Sequence, residues 1–144
     1  MSMPQVEPSV RRHPSILLVE AEPMLRQTMA KFLERSGFRV IACEDSSGAA
    51  AAISETPVGP SLLVLAARVL DSATVDLAHQ LRALAPAVPM LGIADQIGWS
   101  SEASPDLPVD LRFLAPPFDL PDVLRAVRSW FPALSPLDLP TRHA

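Results

Sequence analysis

Few side chains in this chain are of types that do chemistry, and their spacing narrows them further. The three histidines, His13, His79 and His143, are scattered over the whole length, two of them in the terminal stretches, so no catalytic constellation can be drawn around them. Cys43 is the one cysteine and cannot close an intrachain disulfide. In the apolar stretch Val40-Ile41-Ala42-Cys43 it reads as a buried thiol, which suits the cytosol. Carboxylates and arginines remain. Glu20 and Glu22 follow the apolar run Ile16 to Val19, Asp71 lies five residues beyond Ala66, and Asp95 directly follows Ala94. Acids so placed could bind a hard cation or accept a phosphoryl group, while Arg68 and Arg112 are of a type suited to phosphates. No glycine-rich phosphate loop accompanies them, which weakens a nucleotide site.

These residues depend on a regular alternation for their positions. Ile16 to Val19 is a continuous apolar run of the kind found in a strand covered on both faces. Glu22-Pro23 opens a helix, with Leu25, Met29, Phe32 and Leu33 on one face, and Gly37 ends it. Phe38 to Ala42 is a second strand, and Ser46-Ser47 can cap a helix over the alanine run, with Ile53 facing inward, until Pro57, Gly59 and Pro60 break it. Leu62 to Leu65 is a third strand, ending at Ala66. Val75 to Leu84 is helical, with Leu77, Leu81 and Leu84 at helical spacing, and Met90 to Ala94 is a fourth strand. Residues 97–103 form a weak fourth helix, diluted by Gly98 and two serines. Leu111 to Leu114 is a fifth strand. Asp119 caps a last helix carrying Leu120, Val123, Leu124 and Val127 on one face, with Pro121 in its first turn.

Five strands alternating with five helices imply a parallel sheet with helices on both faces, because right-handed crossovers must cover it. The count and length suit an α/β, doubly wound, three-layer flavodoxin-like fold with strand order 2-1-3-4-5. Its functional crevice would lie at the carboxyl ends of the strands, at Glu20-Ala21, Ala66, Ala94 and Ala115-Pro116. Residues 1–14, with Pro4, Pro8 and Pro14, read as a flexible lead-in; 15–131 as one folded domain; and 132–144 as a proline-rich tail.

The composition sets outer bounds. With 144 residues, 49% of them hydrophobic, the chain can bury a core of ordinary size. A net charge of -4 offers no broad basic surface, so nucleic acid and anionic lipid are not expected partners. Arg11-Arg12-His13 precede an apolar run that Glu20 interrupts too soon for an export signal, and no run approaches the ~20 residues of a membrane span. A cytoplasmic location is the expectation.

Three segments carry a resemblance. Ile16-Leu17-Leu18-Val19-Glu20-Ala21-Glu22-Pro23, Val88-Pro89-Met90-Leu91-Gly92-Ile93-Ala94 and Phe113-Leu114-Ala115-Pro116-Pro117-Phe118, with the strand ending at Ala66 between the first two, resemble in order and spacing the response-regulator receiver (CheY-like) family of two-component signalling. The resemblance covers about Ser15 to Phe131. It implies a metal site of two acids after the first strand plus a phosphoaccepting aspartate after the third, a hydroxyl after the fourth and a lysine after the fifth. Glu20, Ala21, Ala66, Ala94 and Pro116 stand at those positions. One carboxylate of three remains, and neither Ala94 nor Pro116 can donate a hydrogen bond to a phosphoryl group. Glu22 matches no ligand position and reads as a solvated charge in the first turn of a helix. No tight magnesium site, no other cofactor and no enzymatic activity are expected. Asp71 and Asp95 would be poor substitute acceptors without a metal or lysine beside them.

The resemblance therefore points to a pseudo-receiver, acting in signal transduction by phosphorylation-independent protein-protein interaction. The expected partner is a histidine kinase or another signalling protein, or a second copy in a homodimer. The face implied is that of the fourth helix, fifth strand and fifth helix. Trp99 and Trp130 are the candidate interface residues. Phe113 holds the position of the switch aromatic and is expected to rest inward beside Ala94, and the 116–117 bond, before Pro117, is expected to be cis. The alternative is sensing of a nucleotide or cyclic dinucleotide by the vacated crevice or a neighbouring surface, with Arg68 and Arg112 as contacts.

Overall fold

In a computed structural model of the chain, describing residues 14–55, 59–67, 72–94, 108, 111–114 and 117–131, the apolar run after Pro14 becomes an interior strand. This is β1 (Ser15–Glu20), flanked by β2 (Arg39–Cys43) and β3 (Leu62–Ala67), with β4 (Met90–Ala94) and β5 (Arg112–Leu114) beyond. All neighbours pair in parallel, in the order β2-β1-β3-β4-β5. Four helices lie among the described residues: α1 (Pro23–Arg35), α2 (Ser46–Glu55), α3 (Ser72–Leu84) and α4 (Leu120–Arg128). The weak helix expected over 97–103 lies outside the described residues, as do both terminal segments.

Alternation along the strands divides the core into two halves. Ile16, Leu18, Leu62, Val64, Leu91 and Ile93 face one way and pack with Met29 and Leu33 of α1 and Val123 and Val127 of α4. Leu17, Val19, Leu63, Leu65 and Met90 face the other way, onto Ala49 of α2 and Ala78 and Leu81 of α3. A strand covered on both faces has no polar side to show, which is why these segments read as unbroken apolar runs. Each fully covered Leu or Ile contributes about 1.5–3 kcal/mol through area removed from water.

The helix ends explain the boundaries. The Glu22 carboxylate accepts the Leu25 N–H at 2.7 Å and caps α1, with Pro23 in the first turn. Gly37, at φ 104°, takes the left-handed position that ends this helix; the Gly37 and Phe38 N–H groups donate to Glu34 and Leu33 carbonyls. Phe38 is thereby drawn into the core against Phe131, ring centroids 5.8 Å apart, and β2 starts one residue later than expected. Asp45, not Ser46-Ser47, caps α2: its carboxylate accepts the Gly48 N–H at 2.9 Å. Asp119 caps α4 in a reciprocal capping box with Asp122. Two further expectations are corrected. Leu84, at 38% exposure, ends α3 on the surface, and β3 runs one residue past Ala66 to Ala67.

Candidate functional site

The crevice is built where β1 and β3 end. Parallel pairing sets Glu20 opposite Ala66, Ala66 opposite Ile93, and Ala67 opposite Ala94. Because Glu20 continues the Ile16–Leu18 face, its side chain is directed between α1 and α4 and is only 6% exposed. Its Oε2 accepts the Glu22 N–H at 2.8 Å. Arg26 reaches back from α1 and donates to the Glu20 carbonyl at 2.9 Å and, at 3.4 Å, to that of Ala21. Glu20, which ends β1, and Glu22, which follows it, thus both take part in turning the chain into α1. Ala21 is exposed, whereas Ala66, at 7% exposure, belongs to the core cluster on the α1–α4 side.

Two hollows open from this point. One of about 330 Å³ extends toward α2 and α3, between Glu22, Glu44, Leu65, Thr74 and Leu77. The other, of about 260 Å³, extends toward α4, between Met29, Ile93, Phe118 and Asp119. Glu20, Leu25, Ala66 and Ala67 line both. Among the described residues, no three His, Cys, Asp or Glu side chains come together so as to hold a metal ion. Of the positions where the family resemblance places metal ligands, Glu20 carries a carboxylate, and Ala21 and Ala66 carry methyl groups.

The remaining predicted site residues fall unevenly. Arg68, Asp71, Asp95, Trp99 and Pro116 lie outside the described residues, and with Pro116 the bond leading to Pro117. Ala94 ends β4 and Phe113 pairs with Gly92 in β5; the side chains of both are outside the description. Arg112 starts β5 opposite Leu91, two residues before the strand's carboxyl end, and so is not a crevice residue. Its guanidinium lies 4.4 Å from the centroid of the Trp130 ring, and Nη1 donates to Ser129 Oγ at 3.4 Å. Trp130 is half-buried against the α1–α4 cluster and serves as a stacking platform.

Sequence reasoning missed Glu44, Thr74 and Phe118 in the lining. Glu44 alone had a signal available, since it directly follows an apolar run, Val40 to Cys43, as Glu20 follows Ile16 to Val19. Cys43 is half-buried beneath α2, and its Sγ donates weakly to the Leu18 carbonyl at 3.6 Å. Burial, and secondarily Asp45, push its thiol up to about 11 against a small opposing effect of Arg26.

No protein-family model and no curated protein matches the sequence. Solved structures do. A response regulator receiver protein from Sinorhizobium medicae is 21% identical with a TM-score of 0.66, over 84% of this chain and 96% of that one. A CheY-like receiver domain protein from Methanospirillum hungatei is 17% identical with a TM-score of 0.66, over 84% and 95%. The chemotaxis response regulator CheY4 of Vibrio cholerae is 15% identical, again with a TM-score of 0.66, over 82% and 98%. At these identities the likeness establishes the fold, which is that of CheY-like receiver domains.

Proposed function

We propose that this chain is a degenerate receiver domain that works in signal transduction by binding another protein, without being phosphorylated and without enzymatic activity. The single observation that carries this reading is the pairing of Glu20 with Ala66 at the floor of the crevice. Receiver chemistry needs a carboxylate on the third strand to take the phosphoryl group and several oxygens to hold magnesium. At Ala66 a methyl group packed in the core can do neither. The described residues do not fit a tight magnesium site, because one carboxylate stands where three oxygens would be needed.

The surface available to a partner, a histidine kinase, another signalling protein or a second copy, is the face of β5 and α4. Trp130 and Trp99 remain the residues to substitute first in a pull-down from the native host. Exposure to acetyl phosphate with magnesium chloride, followed by intact-mass measurement, tests the reading. The mass should be unchanged, and a stoichiometric gain of one phosphate would overturn it.

A further inference from the structure

We propose that the outer edge of β2 is a homodimer interface, at which the β2 strands of two copies pair antiparallel about a two-fold axis and join two sheets into one. This edge lies across the sheet from β5, so the proposal is separate from the protein-binding face above. Among the described strands β2 pairs with β1 alone, over five consecutive residue pairs with no bulge. The Arg39 N–H donates inward, to the Pro14 carbonyl at 3.0 Å. Alternation along a parallel pair then turns the backbone groups of Arg39, Ile41 and Cys43 toward β1 and those of Val40 and Ala42 outward. Edge strands are ordinarily protected by proline, by bulges or by inward-pointing charge. The strand Arg39-Val40-Ile41-Ala42-Cys43 has no proline and no bulge, and its one charge stands at its start.

The distribution of charge selects a second copy as the occupant. Arg35 and Arg39, both exposed, flank the amino end of the strand, while Glu44 and Asp45, both exposed, follow its carboxyl end. A two-fold axis at Ile41 sets Val40 of each copy opposite Ala42 of the other, so that the outward N–H and C=O groups of both strands find partners. The same register lays the basic end of each strand beside the acidic end of its mate. Symmetry makes that contact twice, and a strand of the same sequence is its own complement. On the α1 side of the edge a groove of about 440 Å³ runs between α1 and β2, with Ala30 and Ala42 in its lining and Gln27, Lys31 and Glu34 beside them. Small residues there let the two α1 helices approach across the joined sheet, with charges of both signs between them.

Sedimentation velocity of the full chain from about 1 to 500 µM tests the proposal, and should show a reversible equilibrium of monomer and dimer. Amide exchange at Val40 and Ala42 should slow as the concentration rises. Ala42→Pro removes an outward N–H that β1 does not use, a place where an edge strand tolerates proline, and should weaken the dimer at least about tenfold. Arg39→Glu and Glu44→Arg, at exposed positions, should each weaken it by about tenfold by setting like charges together at both ends. The double variant should recover most of that loss, so the test survives if Ala42→Pro fails to fold. A monomer up to about 500 µM would overturn the proposal, whether the edge is bare or is covered by the chain's own residues 1–13. A dimer indifferent to these substitutions, such as one held by the β5 and α4 face, or charge variants with no recovery in the double, would overturn it equally.

Discussion

Arg112 and Trp130, on β5 and just past the end of α4, form a stacked cation–π pair with the guanidinium carbon 4.4 Å from the ring centroid. The pair ties the edge strand of the sheet to the last helix, and it engages the one described tryptophan that could serve an interface. A double-mutant cycle on Arg112→Gln and Trp130→Leu, read by urea unfolding, should give a coupling of about 0.5–1 kcal/mol, the range for an exposed pair. The single Trp130 variant should lose more than the single Arg112 variant, because the ring also packs on the core cluster. Additive single effects would show that the stacking contributes nothing.

Ala66→Asp restores the acceptor carboxylate in name only. The new carboxylate would sit opposite the buried Glu20, with Ala94 and Pro116, which donate no hydrogen bond, where the family resemblance places the hydroxyl and the lysine. The variant should gain no mass from acetyl phosphate and magnesium. It should also be less stable than the parent, in the upper part of the ordinary range of about 0.5–3 kcal/mol for point substitutions. Stoichiometric phosphorylation of this variant would show that Ala66 was the only lesion.

Cys43 should be slow to alkylate at pH 8 in the folded chain, with the rate still climbing between pH 9 and 11, while the urea-unfolded chain reaches its plateau earlier. Its folded pKa is raised from 9.0 to about 11, first by burial. Deprotonation therefore favours the unfolded chain. The associated stability is complete below about pH 9 and is lost as pH rises toward 11. A folded-state plateau near pH 9 would contradict the burial.

The capping box of α4 has the opposite sign. Hydrogen bonding from the Asp119 N–H, helped by Arg125, holds the Asp122 carboxyl below its ordinary value of 3.8. Its contribution is present above that value and disappears as pH falls below it. Asp119→Ala removes the reciprocal bond to the Asp122 N–H and should cost about 0.5–2 kcal/mol at neutral pH. The difference between Asp122→Asn and parent should narrow in unfolding curves taken at progressively lower pH below 4.

Much of this architecture was legible because the sheet is covered on both faces. Continuous apolar runs place β1, β3 and β4 directly, and strand order then brings Glu20 beside Ala66 without further information. Local chemistry also located Gly37 and the Asp119 cap. Reading failed where two local solutions competed or where tertiary distance decided. Asp45 and Ser46 are both good caps, and only the helix's first turn, set by packing on β2, selects Asp45. Arg112 looks like an anion contact until folding places Trp130 beneath it. That Glu44 and Asp119 border the same crevice as Glu20 was hidden for the same reason, since the three come from distant segments.

At Gly48, α2 comes close to the sheet: a Cβ there would stand 2.8 Å from the Cys43 Cβ. With a helix backbone lying so directly over the chain's single thiol, labelling of Cys43 becomes a clock for the opening of that one helix. At neutral pH, where the thiol is protonated, a change in labelling rate reads a change in how closely α2 covers the half-buried sulfur. A partner or ligand that clamps the adjoining crevice at Glu44 should slow that clock, giving the domain a native reporter of engagement that requires no label to be engineered.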